Sequence, residues 1–171
     1  MDAIIREKRL EDCASVQKII TKSWQHTYRG IVNDVFLNSL TYNEEERIIN
    51  SQKNFNSITN NELVLEINGR VVGFVKYSQA DDLKYKDYGE INAIYILNEY
   101  KCMGYGKKLI KDAVKKLKHL GFDKMIIGCL EGNPANEFYK RLGGTLDSKR
   151  IFSRGGQDLV ENVYVFHSID I

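Results

Sequence analysis

The chain has 171 residues, 43% hydrophobic and 28% charged, with a formal net charge of +2. That is enough for one domain, spanning 1–171, with a sizeable core, and too mild a charge for a nucleic-acid-binding surface. Cys13, Cys102 and Cys129, with His26, His119 and His167, form no C-x-x-C or H-x-x-x-H pair, so neither a disulfide framework nor a metal site is expected. No apolar run approaches membrane length, and Asp2, Arg6, Glu7, Lys8 and Arg9 charge the start of the chain. A cytoplasmic protein without a membrane partner is the expectation.

In chain order, AIIRE is a short strand, and from Leu10 the apolar positions Cys13, Val16, Ile19 and Ile20 recur at helical spacing to about Trp24. A second helical region covers Asn33 to Gln52, broken near Thr41. ELVLEI, Asn68-Gly69 and RVVGFVKYS read as a hairpin, because Asn-Gly supplies the left-handed pair that a two-residue primed turn requires. YGEINAIYIL is the next strand. The following helix carries Leu109, Ile110, Ala113, Val114, Leu117 and Leu120 as one apolar stripe, with lysines largely elsewhere, and ends at Gly121. KMIIGCL is a strand, NPANEFYKRLGG a capped helix, and TLDSKRIFS and LVENVYVF a closing pair of strands around Gly155-Gly156.

This order predicts an α/β fold of the α+β kind, a mixed sheet with helices on both faces. At its centre, KCMGYGKKLI sets Gly104 and Gly106 at a helix start. Bare amides at a helix N-terminus make an anion site, and the helix dipole adds favourable potential. The spacing fits neither a Walker loop nor a dinucleotide fingerprint. A G-x-G alone reads equally as a structural turn.

Lys101-Cys102-Met103-Gly104-Tyr105-Gly106 nevertheless resembles the signature of the GNAT superfamily of acyl-CoA-dependent N-acyltransferases: Gln or Arg, two residues, Gly, one residue, Gly or Ala. Here Lys101 replaces the Gln or Arg. EINAIYILNEYKCMGYGKKLI, LEGNPANEFYKRLGG and GGQDLVENVYVF extend the resemblance in the same order, over about residues 60 to 167. It implies a mostly antiparallel, twisted sheet splayed at the cofactor site. It also implies that the amides of residues 102 to 107 (Cys102, Met103, Gly104, Tyr105, Gly106, Lys107) hold the pyrophosphate of acetyl-CoA, while Ile94, Tyr95 and Ile96 pair with the pantetheine arm. Lys101 keeps the positive charge but loses the planar fork. Lys107, Lys108 and Lys111 either screen the ribose phosphate or form a solvated face.

Acetyl transfer needs a neutral amine, so something must take its proton. Glu90, fourteen residues before Gly104, occupies the strand position where the family often carries a general base; the alternative is a solvated carboxylate at a strand start. Asn92 lies nominally on the same strand face and could position the amine or a water. Tyr139 follows Ala135 by four residues, as the family's thiolate-protonating tyrosine does, and the alternative is an aromatic core residue beside Phe138. Asn133 with Pro134 reads as a helix cap, with a pantetheine contact as a further role.

The amine acceptor, a small molecule or peptide, is not legible. Trp24, His26 and Tyr28 could line its pocket, and Trp24 and Tyr28, four apart, read equally as a core edge. Asp81, Asp82 and Asp87 would suit a cationic amine, and a polar loop explains them as well. The resemblance implies an acetyl-CoA-dependent N-acetyltransferase without metal, a homodimer being the default assembly. The alternative is a non-catalytic acyl-CoA binding or sensing domain, which retention of both Glu90 and Tyr139 disfavours.

Overall fold

The computed structural model describes residues 3–170. Seven strands, β1 (Ala3–Glu7), β2 (Glu62–Ile67), β3 (Arg70–Gln79), β4 (Gly89–Ile96), β5 (Met125–Leu130), β6 (Thr145–Arg154) and β7 (Gln157–Phe166), form one sheet in the order β1-β2-β3-β4-β5-β7-β6. Five α-helices accompany them: α1 (Cys13–Thr27), α2 (Asp34–Tyr42), α3 (Glu44–Lys53), α4 (Tyr105–His119) and α5 (Ala135–Arg141). β1 with β2, β2 with β3, β5 with β7 and β6 with β7 pair antiparallel, and β4 with β5 pairs parallel. By contacts the chain divides into two compact units, Met1–Lys76 with Ala93–Leu109, and Tyr77–Asn92 with Ile110–Ile171.

In the first unit, β2 and β3 form the expected hairpin, with Asn68 at φ 50° and Gly69 at φ 77°. Leu63, Val64 and Leu65 are consecutive and all buried, so both faces of β2 are covered and strict alternation gives way to a continuous apolar run. Cys13, Val16 and Ile19 bury one stripe of α1. Asn33 caps α2, its Oδ1 accepting the Phe36 amide at 2.8 Å. The break between α2 and α3 falls at Asn43. Arg47 of α3 then gathers the three helices by donating to Gln17 Oε1 of α1 and to the Leu40 carbonyl of α2.

In the second unit, β5 pairs with β7 from Met125↔Phe166 to Leu130↔Glu161, and β6 pairs with β7 across the Gly155-Gly156 turn. Ile110, Ala113, Val114 and Leu117 of α4 are buried, each Leu or Ile contributing about 2 kcal/mol of hydrophobic stabilisation. Leu120 departs from the predicted stripe: it lies past the last helical residue and is 53% exposed. Gly89 lets α4 sit close to β4, since a Cβ there would lie 2.8 Å from Leu117 Cδ2.

Candidate active site

The first unit contains the glycine loop. Cys102 (φ 61°) and Gly104 (φ 81°) are both left-handed, with Met103 between them. Such alternation turns successive amides toward one side, forming a concavity that suits an anion. The Gly104 carbonyl accepts the Lys108 amide at 3.3 Å, which makes Gly104 the residue from which α4 starts. The amides of Tyr105, Gly106 and Lys107 therefore open the helix, where no intrahelical acceptor exists. A Cβ built on Gly104 meets no protein atom within 4 Å. The space above the loop is open, and a pyrophosphate fits this cradle by charge and by room. Lys107 and Lys108 are exposed, the latter over the Tyr105 ring at 5.6 Å.

Lys101 points elsewhere. Its Nζ donates to Thr27 Oγ1 on the last turn of α1 at 3.4 Å, and burial holds the ammonium below the ordinary lysine range. Trp24 and Tyr28 come together as their spacing suggested, ring centroids 4.7 Å apart, and both are buried. Trp24 Nε1 donates to Tyr95 Oη at 2.9 Å, and its ring meets Phe36 edge-on at 5.8 Å. α1 is thereby tied to the end of β4, where Ile94, Tyr95 and Ile96 are half-buried while the strand's first three residues are buried. The parallel register of β4 with β5 spans three pairs, Gly89↔Met125 to Ile91↔Ile127. His26 is exposed.

The second unit contains Glu90, which is 5% exposed and is not the solvated carboxylate that a strand start allowed. Its Oε1 accepts Arg150 Nη2 at 2.7 Å, and Arg150 Nε donates to Glu161 Oε2. Burial works against the Arg150 charge, but the hydrogen bonds to the two carboxylates outweigh it and raise its pKa. Arg150 and Glu161 face each other across β6 and β7. The Glu161 carboxylate lies over Gly128 of β5, 2.5 Å from where a Cβ would be. One guanidinium from β6 thus reaches the carboxylate of β4. Sequence reading missed Arg150 and Glu161; the available signal was Gly128, an isolated glycine inside an apolar strand, which marks a close approach. Asn92, two residues along, is exposed.

Tyr139 on α5 is buried, its ring 5.4 Å from Phe138 and 6.1 Å from Tyr164. Pro134 rather than Asn133 is the cap residue of α5, and Asn133 supports the helix start from one residue further back, its Oδ1 accepting the Ala135 amide at 2.9 Å. Asn136 is fully used. It donates to the Leu130 and Asn133 carbonyls and accepts from Asn162 Nδ2 and Tyr164 Oη, which ties the turn before α5 to β7. Asp82 caps a 3-10 turn by accepting the Lys84 amide, while Asp81 and Asp87 are exposed. Burial pushes the Cys129 thiol up to about 12, which leaves it unreactive at neutral pH. Among the described residues no cluster of three potential metal ligands occurs.

YuaI of Bacillus subtilis (strain 168), described as an uncharacterized N-acetyltransferase, is 32% identical over 136 residues, 80% of this chain and 76% of that one. The PaiA N-acetyltransferase of Thermoplasma acidophilum, solved in complex with coenzyme A, shares the fold at TM-score 0.70 and 22% identity, over 95% of this chain and 98% of that one. YncA of Salmonella typhimurium, solved with acetyl-CoA, gives TM-score 0.66 at 22% identity, covering 98% and 94%. Residues 20–144 match the Acetyltransferase (GNAT) family model, and the chain belongs to that family.

Proposed function

We propose that the chain, acting as one transferase domain, moves an acetyl group from acetyl-CoA to a primary amine by direct attack. The observation that carries this is the left-handed, open-topped Gly104 at the start of α4, inside residues 20–144, which match the family model. Acetyl-CoA supplies the activated acetyl thioester. The amides from Cys102 to Lys107 would hold its pyrophosphate, and the half-buried end of β4, Ile94 to Ile96, would pair with the pantetheine arm. Asn133, beyond its support of the helix start, could meet the same arm.

Glu90 takes one proton from the ammonium form of the acceptor, through a water that its Oε2 can receive. The freed lone pair attacks, Tyr139 gives its proton to the departing sulfur, and the second amine proton passes to solvent water as the amide forms. Solvent reprotonates Tyr139 and discharges Glu90, which closes the proton balance. Asn92, which is exposed, is the acceptor-facing candidate, while Trp24 and Tyr28 are buried against each other.

Thiol release from acetyl-CoA, measured with spermidine, kanamycin, the common amino acids and an alanine-terminated peptide, tests this reading. Release with at least one of these amines, and amide product by mass spectrometry, is expected. Acetyl-CoA binding without release from any of them would instead favour a sensing domain.

A further inference from the structure

Glu90 cannot be understood by itself. A carboxylate this buried is costly unless a cation compensates it, and the cation comes from three strands away in the sheet order, on β6. Three features make that reach work. Arg150 stands directly opposite Glu161 in the β6–β7 register. Glu161 takes Nε of the guanidinium, leaving Nη2 for Glu90. Gly128 has no side chain where the Glu161 carboxylate lies. The side chains of Glu90, Glu161 and Arg150 are 7%, 12% and 31% exposed, so the guanidinium closes the cluster on its more open side. Among the described residues, the charged groups meeting at Glu90 are Arg150 and, through it, Glu161.

We propose that Arg150 is a positioning residue for acetyl transfer: it fixes one oxygen of Glu90, turns the other toward the proton it accepts, and is itself held by Glu161 over the bare backbone of Gly128. The inference rests on Glu90 being the proton acceptor. A planar fork suits it, because two donors of one rigid group engage two carboxylates at once. Lysine, a single point charge, could not hold both in this geometry.

The test is a double-mutant cycle with the fastest amine of the panel above. Glu90→Gln and Arg150→Gln should each lower kcat, the latter by about ten- to a hundredfold, the worth of one hydrogen bond to a charged group. KM for acetyl-CoA should not change, and the double variant should be no slower than Glu90→Gln. A second readout needs no turnover: the Arg150 Nε–H resonance should resist solvent exchange in wild type and Glu90→Gln, and lose that protection in Glu161→Gln. Wild-type kcat in Glu90→Gln overturns the proton-acceptor reading and this inference with it. A slow Glu90→Gln beside an unaffected Arg150→Gln, or losses that multiply in the double variant, overturns this inference alone. Should Arg150→Gln melt too low to assay, the same cycle run with Glu161→Gln decides, and absence of coupling to Glu90→Gln sinks the proposal.

Discussion

Tyr139 has a packing role and a proposed chemical one, and a single atom separates them. Its ring packs between Phe138 and Tyr164, and its hydroxyl is the proton donor proposed for the departing sulfur. Tyr139→Phe preserves the ring, so melting temperature and acetyl-CoA affinity should hold while kcat falls by roughly a hundredfold. Full turnover with an amine for which chemistry is rate-limiting would mean that the thiolate takes its proton from water. Tyr139 and Glu90 can be nominated from the sequence because each stands at a fixed distance from a local motif. Arg150 and Glu161 cannot, because what makes them a unit is the register of β6 on β7 and a reach across β5, neither of which any local spacing encodes. The burial of Glu90 is not legible for the same reason: its cover comes from a segment sixty residues later.

At the scale of elements, the loop and the start of α4 can be tested without an acceptor. Asparagine tolerates the left-handed region, and a Cβ at Gly104 touches no protein atom. Gly104→Asn should therefore change stability by about 1 kcal/mol or less, while acetyl-CoA affinity falls about tenfold or more because a side chain now stands in the cradle. Unchanged affinity by calorimetry would return Gly104 to a turn-forming role. Cys102 offers a second reporter. It is exposed, whereas Cys13 and Cys129 are buried, so a thiol reagent should label one cysteine quickly in the native protein, and acetyl-CoA should suppress that labelling in proportion to occupancy. Most elements could be read from the sequence because each carries its own punctuation: Asn68-Gly69 turns the hairpin and Asn33 caps α2. Leu120 shows the limit, since periodicity continues past the point where Gly121 (φ 92°) has ended the helix.

At the scale of the whole molecule, the ion pairs decide how the fold answers to acid, and they are unequal. Glu137, Asp147 and Asp170 are held below their ordinary range by lysine hydrogen bonds, yet they lie in solvent, where screening leaves little net gain. Asp12 differs. Burial pushes its carboxyl up, but Arg6 donates to both its oxygens at 2.6 and 3.0 Å and the Arg9 amide adds a third bond at 2.7 Å, and together these hold it below the usual range. Arg6 also bonds Glu66 of β2, so Asp12 joins the turn before α1 to the β1–β2 edge. A carboxyl depressed in the folded state contributes stability above its unfolded value, near 4, and loses it as pH falls through the folded value. Asp12→Asn should then cost about 2 kcal/mol at pH 7, where a hydrogen-bonded charge is removed, and less at pH 3, below the unfolded value, where wild type has begun to lose the same contribution. Urea midpoints at the two pH values measure this. A difference between wild type and Asp12→Asn as large at pH 3 as at pH 7 would place the acid sensitivity elsewhere. Because Asp12 lies outside the proposed proton path, kcat per folded enzyme should be unaffected, which separates loss of fold from loss of chemistry.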